Sequence, residues 1–220
     1  LSERGQLMKG HWGGGIRDAF GYEGAFYTYT GKIFDLMLAS VLWLLGSLPI
    51  VTIGAANSAL YASVSRCVRM DIGEVPAQFW KSYRRDLKSS LPIWIGFGAA
   101  AFLLLLNIGI IRSKAEGLAG IFFVMFYGFL TLLLVIAGCY AFPALSRFEM
   151  PAGWIIKLSF YLMIRHLPSS VMLLALFAGA YMLVLWKIGL VLIVPGTVTL
   201  LASFLIEPIL ERHMPDGKEG

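Results

Sequence analysis

The chain has 220 residues, of which 58% are hydrophobic and only 14% are charged, and its net charge is +5. Charged residues make up about a quarter of an average soluble chain, and a soluble globule of this length cannot bury so much apolar surface. Composition therefore excludes a secreted disulfide scaffold, a disordered tail and a water-soluble enzyme. It indicates a membrane protein.

Long uncharged segments support this interpretation. Five of them lack Asp, Glu, Lys and Arg, and they cover residues 36–65, 89–111, 117–146, 166–186 and 188–206. A hydrocarbon core of about 30 Å requires about 20 apolar residues in a helix. Helices are expected because a spanning segment must satisfy its own backbone hydrogen bonds and because apolar and polar residues do not alternate. The predicted fold is all-α, a polytopic membrane helix bundle.

The first uncharged segment is too long for one helix, and Pro49, Thr52 and Gly54 near its middle are typical of a turn. We predict one helix over 31–48 and a second, more polar helix over 55–68. If both cross, 15 of the 18 basic residues lie in cytoplasmic segments; if the segment crosses once, 11 do. Because Lys and Arg collect on the cytoplasmic side, we expect six crossings with both termini in the cytoplasm, or five if 55–68 is re-entrant or half-buried.

Small residues recur every four positions in the second helix, as in Gly54, Ser58 and Ala62. Such spacing lets helix backbones approach closely. Two interpretations remain open, namely tight helix packing and a polar substrate path. The candidate residues for either role are Pro49, Thr52, Gly54, Asn57 and Ser58.

A cytoplasmic amphipathic helix is predicted over residues 75–88. Its cationic face consists of Lys81, Arg84, Arg85 and Lys88, and the adjoining apolar stripe consists of Trp80, Tyr83 and Leu87. A helix of this kind lies in the membrane interface with its cations toward anionic headgroups. The alternative is a docking face for a protein partner.

A second amphipathic helix is predicted after Pro151. Trp154, Lys157, Tyr161 and Arg165 fall on one face of a segment that is otherwise apolar. Lys157 and Arg165 are expected to extend their charged ends to the headgroups, and a partner contact is again the alternative.

Ionisable residues near the predicted crossings are few. Asp35 and Glu207 lie at the ends of crossings, and Lys32 is a candidate interfacial partner of Asp35. The alternative is that Asp35 forms a proton or ion site, because charged groups within membranes are costly and often functional. The three histidines lie in separate segments, and no Gly-x-Ser-x-Gly elbow or phosphate loop occurs. We therefore expect no enzymatic activity, no catalytic residue, no metal and no cofactor.

Three runs of residues resemble the YesL family of Gram-positive bacterial membrane proteins. They are Leu-Pro-Ile-Val-Thr-Ile-Gly at 48–54, Phe-Pro-Ala-Leu-Ser-Arg-Phe at 142–148, and Ile-Arg-His-Leu-Pro at 164–168. The resemblance extends over about residues 7–212. It departs from the family pattern where Asp-Leu-Lys-Ser-Ser at 86–90 replaces a stretch that usually contains Asn and Phe.

The resemblance implies a genomic context rather than a mechanism, since the family has no catalytic residues to carry over. Such proteins are found beside sugar-binding proteins, ABC-type permeases and polysaccharide-degrading enzymes. The expected function is a non-catalytic accessory subunit of a bacterial oligosaccharide ABC importer. The alternatives are a small stand-alone transporter or channel, which would need a polar path past residues such as Asn107 and Thr131, and an envelope or lipid-organising membrane protein.

The expected organisation is a polar N-terminal segment over 1–30, one transmembrane domain over 31–212, and a cytoplasmic tail over 213–220. The expected location is the bacterial plasma membrane. Expected partners are the lipid bilayer, ABC permease subunits and a solute-binding protein, and nucleic acid is not expected because the positive charge follows membrane topology.

Overall fold

The structure is a computed structural model that describes residues 25–114, 117–148 and 150–211. Across these residues the chain is 92% helical, with no strand. The predicted tail over 213–220 and most of the predicted segment over 1–30 lie outside the described residues. The described part confirms the all-α membrane helix bundle.

Seven α-helices follow one another along the described chain. They are α1 (Ala25–Gly46), α2 (Ile53–Ser63), α3 (Val75–Lys114), α4 (Gly117–Arg147), α5 (Ala152–Arg165), α6 (Leu167–Trp186) and α7 (Val194–Glu211). A 3₁₀ turn, Ile50–Thr52, precedes α2, a π-helical turn, Val64–Arg69, continues it, and a second 3₁₀ turn, Ile188–Leu192, precedes α7.

Three helices, α3, α4 and α6, are long and apolar enough to cross a membrane, and α7 contains a shorter apolar helix. α4 and α6 reproduce the predicted segments 117–146 and 166–186 almost to the residue. The same agreement holds for α5, which begins directly after Pro151 as expected. The number of crossings, six or five, stays a prediction.

The central element is α2, which packs against α1, α3, α4 and α7. Nine of its residues are buried, and they are Gly54, Ala55, Ala56, Ser58, Ala59, Leu60, Tyr61, Ala62 and Ser63. Its 11 residues span about 16 Å at 1.5 Å per residue, and the π-helical turn Val64–Arg69, with four buried residues of its own, continues it. The predicted helix over 55–68 therefore exists, but it is enclosed by other helices rather than by lipid.

The amphipathic segment 75–88 and the predicted crossing 89–111 form one continuous helix, so the expected boundary near residue 88 is absent. α3 has 40 residues, which corresponds to about 60 Å. Its buried residues fall on a single stripe, Val75, Phe79, Ser82, Asp86, Ser90 and Ile93. Because this stripe continues past residue 88 to Ile93, packing keeps the segment helical through Pro92, although proline cannot donate a backbone hydrogen bond.

Beyond that stripe, α3 and α4 continue together as a pair. We call residues 98–114 and 117–132 the α3–α4 extension. Within these two ranges Gly120 alone is buried. Half-buried positions recur at 100, 101, 104, 108 and 111 on α3 and at 124, 127, 130 and 131 on α4. This spacing of three and four residues marks one stripe on each helix, so each helix of the extension is covered by the other along a single face.

Candidate functional site: buried ion clusters and an apolar cavity

A buried carboxylate lies where α2, α4 and α7 meet. Glu207 on α7 has no exposed surface. Its Oε1 pairs with the Arg147 guanidinium, and its Oε2 accepts a hydrogen bond from the Tyr61 hydroxyl at 2.8 Å. Ser65 Oγ donates to the same Oε2 at 3.4 Å, and Arg69 Nη1 lies 4.0 Å from it. We call these five residues the Glu207 cluster.

Local structure positions each cation of this cluster. Arg147 is the last residue of α4, where the helix dipole favours a positive charge. Arg69 ends the π-helical turn after α2, and its Nη1 also donates to the Ser203 carbonyl on α7 at 3.3 Å. The Arg69 guanidinium lies 5.2 Å from the centre of the Phe204 ring. The cluster thereby joins the end of α2 to α4 and α7, which are distant in sequence.

A second buried carboxylate, Asp86 on α3, joins the opposite side of α2. Ser58 Oγ donates to its Oδ2 at 2.5 Å. Arg85 donates to both oxygens, from Nε at 2.7 Å and from Nη2 at 3.1 Å, and its Nη2 also bonds the Ser146 carbonyl of α4 at 3.1 Å. We call Ser58, Arg85, Asp86 and Ser146 the Asp86 cluster. Asp86 also begins the stretch that departs from the YesL pattern.

Lys32 pairs with Asp71 at 3.0 Å rather than with Asp35, because the chain after the π-helical turn returns beside α1. The expected Lys32–Asp35 pair was therefore wrong. Asp71 adopts a left-handed backbone conformation, with φ of 55°.

The residues proposed for a polar path are used in separate local contacts. Thr52 Oγ1 donates to the carbonyls of Gly46 and Pro49, at 2.9 and 2.7 Å, and closes the turn between α1 and α2. Asn57 Oδ1 accepts from Trp43 Nε1 at 2.7 Å, and Ser58 belongs to the Asp86 cluster. Pro49 is exposed at the turn.

The two further path candidates lie elsewhere. The Asn107 amide nitrogen donates to the Leu103 carbonyl at 2.8 Å from an exposed position, and Thr131 Oγ1 donates to the Tyr127 carbonyl at 2.8 Å. Both contacts stay within one helix. The polar candidates therefore do not converge on a common path.

Tight packing, the other interpretation of the small residues, is supported at Gly54. A Cβ atom there would lie 3.1 Å from Phe142 Cε1 and from Trp94 Cβ, so α3 and α4 approach α2 closely at this point. A stronger case, Gly196 at the start of α7, was missed. Its Cβ would lie 2.5 Å from the Leu36 carbonyl oxygen and 2.8 Å from Ser40 Oγ. Small residues do not recur at four-residue spacing around Gly196. The pattern that singled out Gly54 therefore gave no sign of the close approach between α1 and α7.

Cation–aromatic pairs mark the exposed faces of α3 and α5. Arg84 lies over the Trp80 ring at 4.8 Å, Lys157 over Trp154 at 5.3 Å, and Arg165 over Tyr161 at 5.8 Å. Lys81 and Lys88 are also exposed. These residues keep the outward orientation that lipid or partner contact requires, and their roles stay predictions.

Two members of the predicted interfacial face turn toward the protein instead. Arg85 enters the Asp86 cluster, and Tyr83 is half-buried, with its hydroxyl 3.4 Å from the Gly46 carbonyl. The buried stripe of α3 begins with Val75 and Phe79, whereas the predicted apolar stripe began with Trp80. The predicted face was therefore displaced by about one residue along the helix.

An apolar cavity of about 500 Å³ lies between α1, α2, α4, α6 and α7. Trp43, Asn57 and Tyr61 line one side, and α4 contributes Gly138 and Cys139. α6 and α7 complete the wall mainly with Phe177, Ala180, Tyr181, Val184, Val194, Val198, Thr199, Ala202 and Ile206. Tyr61 belongs both to this wall and to the Glu207 cluster.

Comparison with known families gives one partial match. A family model described as "Protein of unknown function, DUF624" matches residues 36–108, which include half of α1, all of α2 and most of α3. DUF624 is the family that includes YesL. No curated protein and no solved structure matches the chain at a significant level. The fold and this match together define a helical membrane protein with a DUF624 region.

Proposed function

We propose that this protein is a non-catalytic accessory subunit of an oligosaccharide ABC importer in a bacterial plasma membrane. Its partners would be the permease subunits and, through them, the solute-binding protein. The family match over residues 36–108 supports the proposal, since YesL-like proteins occur beside sugar-import components. Both termini would lie in the cytoplasm, where an importer couples to its nucleotide-hydrolysing partner.

The α3–α4 extension is the observation that carries this proposal. Large apolar side chains cover its surface, for example Phe102 (62% exposed), Phe122 (65%) and Met125 (70%). The described helices other than α3 and α4 leave this surface uncovered. Membrane helices associate through packing and close backbone approach, and the exposed glycines Gly98, Gly109 and Gly128 permit such approach.

The two ion clusters suit a subunit that acts as a rigid support. Hydrogen bonds from Ser58 and Tyr61 join the largely buried α2 to α3 and α7, and the Arg147–Glu207 ion pair joins α4 to α7. A support anchored in this way can present the extension to a permease helix in a fixed orientation.

Co-purification tests the proposal. Gentle extraction of the tagged protein from its native membrane is expected to recover a permease pair. Gly128→Trp adds a large side chain to the extension and should reduce that recovery. Gly179→Trp on α6, which is also exposed and has no neighbouring atom within 4 Å of an added Cβ, should leave it unchanged. A monodisperse lone protein, or equal recovery with both variants, would contradict the proposal.

An envelope or lipid-organising role is the second candidate, supported by the exposed cation–aromatic pairs on α3 and α5. The test is the amount of anionic phospholipid that stays bound to the protein purified in mild detergent, measured by native mass spectrometry. Arg84→Glu with Lys88→Glu should weaken binding if this role is correct, and unchanged binding would eliminate it.

A stand-alone transporter or channel is the remaining alternative, and the separate local contacts of Asn57, Ser58 and Asn107 give it no support.

A further inference from the structure

We propose that the cavity between α1, α2, α4, α6 and α7 is a binding site for an acyl chain of a membrane phospholipid. This site is separate from the proposed importer contact, because the α3–α4 extension does not line the cavity. Its volume of about 500 Å³ falls within the range of about 300–1,000 Å³ that is typical of small-molecule sites.

The polar atoms of the wall determine the chemical class of the ligand. The Asn57 carbonyl already accepts the Trp43 indole N–H at 2.7 Å, and the Tyr61 hydroxyl donates to Glu207 at 2.8 Å. Thr199 Oγ1 donates to the Pro195 carbonyl on its own helix at 2.7 Å. These groups bond within the protein, and among the described residues the only other polar side chains of the wall are Cys139 and Tyr181, the latter exposed at the rim. The cavity therefore suits a hydrocarbon chain and not a sugar or a charged solute.

The surroundings of the cavity identify the source of that chain. Phe177 (39% exposed) and Tyr181 (63% exposed) lie at its rim on α6, one of the helices long and apolar enough to cross a membrane. The medium at this rim is therefore bilayer hydrocarbon. Water would find too few polar partners inside, and an empty space would deprive the wall of dispersion contacts.

A partner helix does not fit the cavity. A helix with its side chains is about 10–12 Å across with a pitch of 5.4 Å, so about 500 Å³ holds roughly one turn of it. A narrow, flexible acyl chain can enter from the bilayer without displacing α6 or α7. The occupant would also touch Tyr61, whose hydroxyl donates to Glu207.

Gly138 provides a specific test. It lines the cavity from α4, and an added Cβ would meet no atom within 4 Å, so Gly138→Leu fills the cavity without an immediate clash. Gly128→Leu is the matched control, because Gly128 lies on the same helix, also has open space around it, and does not line the cavity. Both variants are purified in mild detergent, and bound phospholipid is measured by native mass spectrometry.

We expect the wild-type protein and Gly128→Leu to retain a tightly bound phospholipid and Gly138→Leu to lose it. Equal retention in both variants would overturn the proposal, as would adventitious detergent as the only bound molecule. If Gly138→Leu fails to fold, Ala180→Leu on the α6 wall replaces it, with the exposed Ala178→Leu as its control.

Fluorescence in vesicles gives an independent readout. A variant that keeps Trp43 as its single tryptophan is reconstituted with phospholipid brominated along the acyl chain. Bromine in the cavity should quench Trp43, and Gly138→Leu should relieve that quenching while Gly128→Leu does not. Equal quenching in the two variants would show that the bromine reaches Trp43 from outside the cavity and would overturn the proposal.

Discussion

At the scale of single residues, buried charge is the most consequential feature. Glu207 is fully buried, whereas its partners Arg147 and Arg69 retain about a fifth of their side-chain surface, 20% and 21%. Charged groups inside a membrane protein are costly unless they are paired. The cluster pairs this carboxylate with two guanidiniums and two hydroxyls, so its stability depends on keeping every partner in place.

The first prediction is that Glu207→Gln lowers stability by about 3–5 kcal/mol, because removing one partner leaves a buried charge uncompensated. The measurement is the midpoint of thermal unfolding in detergent. Glu74→Gln is the control, since Glu74 is an exposed acid, and it should leave the midpoint unchanged.

A double variant isolates the ion pair. Glu207→Gln with Arg147→Met removes both charges, so its loss of stability should be smaller than the sum of the two single losses. Strict additivity of the single losses would show that Glu207 and Arg147 do not interact.

At the scale of elements, close approach between helices decides the packing of α1 against α7. The Gly196 backbone N–H donates to Ser40 Oγ at 2.9 Å, and Ser40 in turn donates to the Leu36 carbonyl at 2.8 Å. These bonds require the backbones of the two helices to lie almost in contact. Glycine at 196 makes that distance sterically accessible.

The second prediction concerns this contact. Gly196→Ala should cost about 1–3 kcal/mol, the usual range for overpacking, because its Cβ would meet a backbone carbonyl that cannot move aside. Gly109→Ala on α3 is the control, since no atom lies within 4 Å of its Cβ. Thermal unfolding of the two variants side by side provides the measurement. A Gly196→Ala midpoint equal to that of Gly109→Ala would refute the close approach.

The elements also show where periodicity succeeded and where it did not. Long apolar segments located α4 and α6, and Pro151 located the start of α5. The predicted boundary near residue 88 failed because charge content changes there while the buried stripe on α3 does not. A change from charged to apolar residues along a helix indicates that its surroundings change from water to lipid. It does not indicate that the helix ends.

At the scale of the whole molecule, basic residues lie in both halves of α3, and their separation bears on which side of the membrane each group faces. Arg112 and Lys114 lie at the tip of the α3–α4 extension, whereas Lys81, Arg84 and Lys88 lie on the opposite half of α3. With α3 about 60 Å long, the two groups are far enough apart to lie on opposite sides of a hydrocarbon core.

The third prediction follows from the expected orientation. Ser113→Cys and Lys187→Cys should react with a membrane-impermeant maleimide in intact cells, and Lys81→Cys should react only after permeabilisation. The parent protein is the control, because its two cysteines, Cys67 and Cys139, are buried and half-buried and should react slowly. Labelling of Lys81→Cys in intact cells would reverse the orientation, and labelling of Ser113→Cys but not Lys187→Cys would exclude six crossings.

The amino-acid sequence by itself determined the class of protein, the positions of most helices and the faces of α3 and α5 that carry exposed cations. Those features depend on local composition and periodicity, which the chain displays directly. Tertiary structure alone decided that α2 is enclosed by other helices, that Arg85 binds the Ser146 carbonyl of α4 while Arg84 lies over Trp80, and that Glu207 meets Arg69 and Arg147. The contacts of Glu207 join residues 60 and 138 positions apart, and all of these features depend on how the helices cross, which no single helix specifies.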